Sequence, residues 1–381
     1  MANRPALHHV QSIVIKIGSG VLVRDGTRFD RGTFCRIVEI VAGLVESGRQ
    51  VAIVSSGAVA LGRGRMGQEK PDRQRSLPKL QALAAIGQSI LMQHYENELA
   101  HYNLCCGQIL LTRQDTDNRT RYLNARRTLR TLWDLGAVPI INENDTITTD
   151  EIRLGDNDNL AARVATLLQV DLLAIYSDVD AIFEQNPKLN PDARPIDTID
   201  AHAPHLDHVA SDTATSVGTG GMLTKIEAAR IAAKRGIPTL ITSGKDPNAL
   251  LRALKGSRDG TLLLPSNSPH SSRKAWIAAL KAQGRLICDP GAVGAVRDQG
   301  RSLLPSGVTD VQGKFDEGEA LELCTADGQV FAHGLAAYPA SDMRRIAGVQ
   351  SSNIESILGY HASDALIHRD DLVLSEPHKP T

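Results

Sequence analysis

Ser12-Ile13-Val14-Ile15-Lys16-Ile17-Gly18-Ser19-Gly20 is the stretch on which the fold turns. From Ile13 through Ile17 the run is β-branched and apolar apart from one lysine, and it stops at a glycine. A strand that is apolar on both faces needs cover on both faces, as in a parallel sheet between layers of helices. Lys16 is foreign to such a strand, because lysine is rarely buried without a partner. It either projects toward a ligand that Gly18 lets come close, or reaches solvent past the strand end.

The residues downstream repeat the alternation. Arg31–Ser47 carries apolar residues at helical spacing and stops at Gly48, and Val51–Val54 is a short apolar strand. Pro78–Leu99 reads as a long helix. Leu104–Leu111, Ala137–Ile141, Leu172–Tyr176 and Thr239–Thr242 read as buried strands, with helices at Asn118–Leu135, Asn157–Leu168 and Gly221–Arg235. The pattern predicts an α/β chain: a three-layer α/β/α sandwich on a mostly parallel central sheet. Ligands on such a sheet bind beyond the carboxyl ends of its strands.

At 381 residues the chain is long for one domain. Near residue 280 the pattern changes to short strands between Gly/Asp turns: Val293–Val296, Ala320–Cys324 and Val330–Ala332. The expected division is residues 10–265 for the α/β domain and 284–361 for a small β-rich one. With a net charge of −1, the chain as a whole is no polyanion binder. Five cysteines without C-x-x-C spacing point to reduced thiols rather than a disulfide framework or a zinc site. The first residues lack the apolar run of a signal peptide, and no run of about 18 apolar residues suggests a membrane span. The expectation is a cytoplasmic protein.

Polar clusters follow the predicted strands. Ser55-Ser56-Gly57-Ala58 offers hydroxyls and a glycine N–H to a carboxylate or phosphoryl oxygen, while Ser56 also suits a helix N-cap. Asn142-Glu143-Asn144-Asp145 suits a zwitterion, with Asp145 on an ammonium and Asn142 on a carboxylate; an Asx-rich turn is the alternative. Gly155-Asp156-Asn157-Asp158-Asn159-Leu160 lacks the later Gly and Glu of a calcium loop. Asp158 reads better as an anchor for two lysines, with Asn157 in reach of substrate. Ser177-Asp178 is either a turn or a nucleotide contact. Gly218-Thr219-Gly220-Gly221-Met222-Leu223-Thr224-Lys225 places glycines and a lysine at a helix start, a setting that favours phosphate. It lacks the Walker spacing. Gly62-Arg63-Gly64-Arg65-Met66-Gly67 matches G-x-G-x-x-G, but it follows no strand directly and opens a charged stretch, Gly62–Lys79, read as a loop and potential lid.

Two lysines, a glycine-rich anion loop and an ammonium-binding carboxylate fit phosphoryl transfer to a carboxylate. Such an acceptor is already ionised at neutral pH, so no general base is required. The protein has to bring two anions together and neutralise the charge that spreads over the transferred oxygens. ATP would bring Mg2+ bound by its phosphates and water.

As an ordered set, these motifs resemble the amino-acid kinase family over roughly residues 12–265. Ser302-Leu303-Leu304-Pro305-Ser306-Gly307-Val308 and Arg344-Arg345-Ile346-Ala347-Gly348 resemble segments of a PUA domain appended to its glutamate-phosphorylating branch. The resemblance implies ATP-dependent phosphorylation of the γ-carboxylate of L-glutamate, the first step of L-proline synthesis. It implies that Lys16 and Lys225 stabilise the phosphoryl group and that Asp158 organises them. It implies that Ser56, Gly57, Asn142, Asp145 and Asn157 bind glutamate. Lys16, Ser177, Asp178 and the run Thr219, Gly220, Gly221, Met222, Leu223, Thr224, Lys225 would bind ATP. It further implies feedback inhibition by proline, a homo-oligomer (often a tetramer) and pairing with glutamyl phosphate reductase. Ser55 and Ser177 stand where the family often has Thr; each keeps the hydroxyl. PUA domains elsewhere bind RNA, but residues 284–361 hold six Lys/Arg against ten Asp/Glu, a balance of 6 − 10 = −4 that argues against RNA here.

Overall fold

The structure is a computed structural model that describes residues 4–68, 76–148, 157–187, 189–190, 192–207, 221–266, 274, 277–278 and 280–375. The chain divides into two compact units, residues 1–267 and 268–381.

The first unit runs β1 (Ser12–Ile17), α1 (Ser19–Leu22), β2 (Val23–Arg24), β3 (Arg28–Phe29), α2 (Arg31–Glu46), β4 (Gln50–Ser55), α3 (Ala58–Arg65) and α4 (Leu77–Ala100). It continues with β5 (Cys106–Leu111), α5 (Arg113–Asp117), α6 (Arg119–Asp134), β6 (Val138–Glu143), α7 (Asn157–Leu168), β7 (Leu172–Ser177) and β8 (Thr198–Asp200). It ends with α8 (Met222–Ala233), β9 (Thr239–Ser243), α9 (Asn248–Leu254) and β10 (Thr261–Leu264). Eight strands form one sheet in the order β5-β6-β4-β1-β7-β9-β10-β8. Every pairing is parallel except β9 with β10.

Strand alternation sorts side chains onto two cores. Ile13, Ile15 and Ile17 of β1 pack with α2, α4 and α9, whereas Val14 packs with α6, α7 and α8. Lys16 shares Val14's parity and therefore faces α7 and α8. Ser55 and Asn142 share the parity of Ile53 and Ile140 and face α4. Burial of each large aliphatic side chain contributes roughly 1.5–3 kcal/mol, so a slip of one residue in β1 would exchange both cores and is excluded.

Three expectations need correction. Gly62–Arg65 is helical, so the stretch Gly62–Lys79 begins and ends in α3 and α4, and the lid reading rests on residues outside those described. Gly62 is a packing residue: a Cβ there would stand 2.0 Å from the Leu83 carbonyl oxygen, and one at Gly87 1.7 Å from that of Ala58. The two helices touch backbone to backbone. Ser56 does not cap α3; Gly57 does, in the left-handed region at φ 105°. Val293–Val296 is not a strand but part of α10 (Pro290–Arg297) in the second unit. The Asp289 carboxylate accepts from the Ala292 N–H at 2.7 Å, and Pro290 pre-sets the first turn, which outweighs the valines' strand preference.

The second unit contains β11 (Gly284–Cys288), α10, β12 (Val308–Gly313), β13 (Ala320–Cys324), β14 (Val330–Leu335), α11 (Ala340–Ile346), α12 (Ile354–Leu358) and β15 (Leu372–Leu374). Its sheet runs β12-β11-β13-β14-β15, around a core that includes Leu286, Leu321, Leu323, Tyr338 and Ile367.

Candidate active site

The centre of the site is a buried carboxylate between two buried ammonium groups. Asp158, in the first turn of α7, is fully buried. Its Oδ1 lies 2.6 Å from Lys16 Nζ and its Oδ2 3.3 Å from Lys225 Nζ. The Thr224 hydroxyl donates to Oδ2 at 2.8 Å and to the Gly221 carbonyl at 2.9 Å. Lys16 comes from β1 and Lys225 from the first turn of α8, so one acid ties a strand to two helix N-termini. Burial alone would raise the Asp158 carboxyl, but Lys16 and Lys225 outweigh it and hold the group ionised, below its ordinary value. Burial lowers the Lys16 ammonium from its usual range, while Asp158 and Asp178 favour its charged form. The starts of α7 and α8 add partial positive charge beside the lysines, a setting that suits phosphate.

Gly18 follows Lys16 directly, and a Cβ there would stand 3.5 Å from the lysine's own Nζ. Ser177 ends β7 nearby, 2 % exposed. Its hydroxyl donates to Asp178 Oδ1 at 3.1 Å and accepts from the Val179 N–H at 3.4 Å. The turn reading of Ser177-Asp178 is thus realised, at a strand end adjoining β1.

A polar network extends from the lysines toward α4. Asn157, the first residue of α7, donates through Nδ2 to the Ser55 carbonyl (3.0 Å), Ser56 Oγ (3.0 Å) and Asn142 Oδ1 (2.9 Å). The buried Tyr95 hydroxyl donates to Ser55 Oγ at 2.9 Å. Asn142 Nδ2 donates to Gln88 Oε1 at 2.8 Å, and its Oδ1 also accepts the Glu143 N–H at 2.9 Å. A cleft of about 230 Å³ opens beside this network, lined by residues that include Gln88, Gln108, Glu143, Asn144, Asp145 and Thr146. Burial pushes the Asp145 carboxyl up to about 6. The Asx-rich turn also exists: the Ile147 N–H donates to the Asn144 carbonyl at 3.3 Å, and the Thr146 hydroxyl donates to Asn144 Oδ1 at 2.6 Å.

The structure thus brings together Lys16, Ser56, Asn142, Asn157, Asp158, Thr224 and Lys225, with Asp145 in the adjoining cleft. Gly221 caps α8, and Met222 and Leu223 fill its first turn, Leu223 half exposed. Thr219 and Gly220 lie outside the described residues, as do Gly218, Gly155 and Asp156. Gln88 and Tyr95 escaped the sequence reading. Ala84, Gln88, Leu91, Tyr95 and Leu99 share one face of α4, and a glutamine among aliphatic positions on a buried face is the signal that was available. Among the described residues, no three His, Cys, Asp or Glu side chains gather as a metal site would need.

The family model described as the amino acid kinase family matches residues 11–243, and the one described as the PUA domain matches residues 284–358. A protein of Geobacter sulfurreducens named glutamate 5-kinase is 47% identical over 369 residues, covering 97% of this chain and 98% of its own length. The glutamate 5-kinase of Thermus thermophilus is 46% identical over 374 residues, covering 98% of this chain and 99% of its own. That of Nitrosococcus oceani is 47% identical over 373 residues, with 98% and 99% covered. Sheet, crevice and these relatives agree: the chain belongs to the amino acid kinase family, in its glutamate 5-kinase branch, and carries a PUA domain.

Proposed function

We propose that the chain transfers the γ-phosphoryl group of ATP to the γ-carboxylate of L-glutamate, giving L-glutamyl 5-phosphate and ADP, the first step of L-proline synthesis. The observation that carries this reading is the Lys16–Asp158–Lys225 cluster, which holds two ammonium groups on one buried carboxylate. A carboxylate oxygen attacks the γ-phosphorus, its P–O bond forms, and the bond to the β-phosphate oxygen breaks. Both reactants are anions and no proton moves, so the work lies in placing and neutralising charge. Lys16 and Lys225 meet the transferred oxygens, and Asp158 keeps the lysines from drifting with the charge. Asp145 holds the substrate ammonium, Ser56, Gly57 and Asn157 surround its carboxylates, and Asn142 orders that shell through its bonds to Asn157 and Gln88. Ser177, Asp178 and residues 219–225 hold the nucleotide.

Magnesium enters on the nucleotide. The carboxylate nearest the lysines already has an ammonium on each oxygen, which fits an ion held by phosphates and water rather than by a protein cage. When bound, it adds charge neutralisation at the phosphates. Residues 10–265 form the catalytic domain and 284–361 the PUA domain, which serves regulation or assembly rather than RNA binding. Proline inhibits the enzyme, the chain forms a homo-oligomer, often a tetramer, and it is paired with glutamyl phosphate reductase. No helix among the described residues is long and apolar enough to cross a membrane, in keeping with a cytoplasmic enzyme.

The test compares ADP release with glutamate, aspartate and N-acetylglutamate, with the acyl phosphate trapped by hydroxylamine. Glutamate is the preferred acceptor. Aspartate differs by one methylene, about 1–3 kcal/mol in a fitted pocket. Preference for either alternative acceptor overturns the reading.

A further inference from the structure

We infer that Gln88 is a substrate-binding residue whose side-chain amide donates to the α-carboxylate of the amino-acid substrate. The inference rests on the glutamate-kinase reading above and adds a residue to it.

The direction in which Gln88 points follows from a fixed donor. The Glu143 backbone N–H can only donate, and it meets Asn142 Oδ1. The other end of that amide, Nδ2, must therefore be the atom 2.8 Å from Gln88. Gln88 in turn presents Oε1 to Asn142, and its NH2 group faces away from it. Gln88 Nε2 is shielded from solvent and has no partner within the described structure. A buried donor without an acceptor costs roughly 1–3 kcal/mol, so a native protein keeps one only for a reason.

The reason lies in the cleft. Gln88 and Asp145 line the same small space of about 230 Å³. An amino acid carries its ammonium and carboxylate on one carbon, so a site for both needs an acceptor and a donor close together. Asp145 is the acceptor. Asn142 is poorly suited as the donor, because it is 3 % exposed, its carbonyl takes two N–H groups and its amide already serves Gln88. Gln88 has a donor left over. Asn142 is the fixed joint that orients Gln88 on one side and Asn157 on the other.

Two substitutions separate contact from support. Gln88→Glu keeps an acceptor for Asn142 but replaces the NH2 group with an anion. Gln88→Met keeps the bulk and removes both. Each purified full-length variant is assayed with ATP and L-glutamate, and with 4-aminobutyrate, which lacks the α-carboxylate, as acceptor or as competitive inhibitor. Loss of one donor to a charged acceptor predicts a 10- to 100-fold fall in kcat/KM for glutamate, carried by KM, with Gln88→Glu the worse variant. The response to 4-aminobutyrate and the KM for ATP change less than about threefold, so preference for glutamate collapses. Equal losses on both compounds, or a Gln88→Glu variant that behaves as wild type, overturns the inference. A wild-type enzyme that ignores glutamate overturns the functional reading instead. Melting temperatures close to wild type exclude misfolding as the cause, and if Gln88→Met does not fold, Gln88→Glu alone decides.

Discussion

The two units bury their interiors by different rules. The first holds Lys16, Ser55, Asn142, Asn157, Asp158, Ser177 and Lys225 at or below one-tenth exposure, gathered where strands end and helices begin. The second buries apolar side chains, and none of its described polar or charged residues falls in the buried class; the buried polar positions end at Thr261. Removing one ion from water costs several kcal/mol even after relaxation, and a pair often does no better than an aliphatic cluster of the same volume. A fold that only needs to be stable is built like the second unit. On the proposed reading, charge buried in the first is retained for the reaction, and its location marks the candidate site.

Asp158 offers the sharpest way to break that contrast. Asp158→Asn leaves two buried ammonium groups without their shared anion. Loss of one side of a buried ion pair typically costs about 3–5 kcal/mol. A comparable drop in unfolding free energy is expected, together with turnover reduced at least 10³-fold as both lysines lose their position. Denaturant midpoints and single-turnover rates check the two effects. A variant of undiminished stability would mean that the charges are better solvated than their burial indicates.

Lys225→Ala comes next. Asp158 keeps Lys16 at 2.6 Å, so the cluster stays paired and the fold survives. One of the two cations proposed to face the transferred phosphoryl is lost, for which about 10²- to 10³-fold in kcat is expected, with KM for glutamate little changed. Near-normal turnover would remove this lysine from the phosphoryl site.

The residues of β1 illustrate how far the sequence could be read. Its apolar run and the periodicity of α2 and α7 specify the sheet and its cover because strand and helix parity are local properties. Lys16 stood out for the same reason, since a charge breaks an apolar pattern visibly. Gln88 did not, because its importance comes from Asn142, fifty-four positions away, and no local pattern carries that contact. Gly62 looked like part of a loop motif, but it and Gly87 let α3 and α4 meet, a relation between two helices rather than within either. In the second unit a helix cap overrode β-branched residues at Val293–Val296. Propensity failed where a short capped segment competed with it.

A smaller effect comes from Asp145, an acid in the first unit's cleft that burial pushes up, to about 6. Its unfolded value is 3.8, so between about 4 and 6 the folded state binds more protons than the unfolded one. Stability from this group is therefore present below the lower value and is lost as pH rises through the upper one. With Asp145 as the proposed ammonium site, catalysis runs the other way, because only the ionised carboxylate attracts the substrate ammonium. KM for glutamate is expected to rise about tenfold per unit as pH drops below 6, while KM for ATP does not follow that curve. Asp145→Asn should raise KM at neutral pH and flatten the profile. A profile unchanged by this substitution would assign the titration elsewhere.

The least effect is expected in the second unit, from Tyr338→Phe. The ring is fully buried, and its hydroxyl donates to the Ser363 carbonyl at 2.5 Å while accepting from the Ala362 and Ser363 N–H groups at 3.1 and 2.8 Å. These bonds pin residues 362–363 to the strand-rich core without any charge. The backbone groups released are only part-buried and regain water, so a loss of about 1–2 kcal/mol is expected rather than the sum of three bonds. Turnover, KM for glutamate and KM for ATP should stay within about twofold of wild type. Among its described residues the core of this unit is apolar, and its charged contacts, such as Arg285 with Glu322 at 2.6 Å, involve partly exposed side chains. A kcat altered as strongly as by Lys225→Ala would contradict that division of labour, because a neutral hydroxyl in a unit with no buried charged side chain among its described residues would then be setting the chemistry.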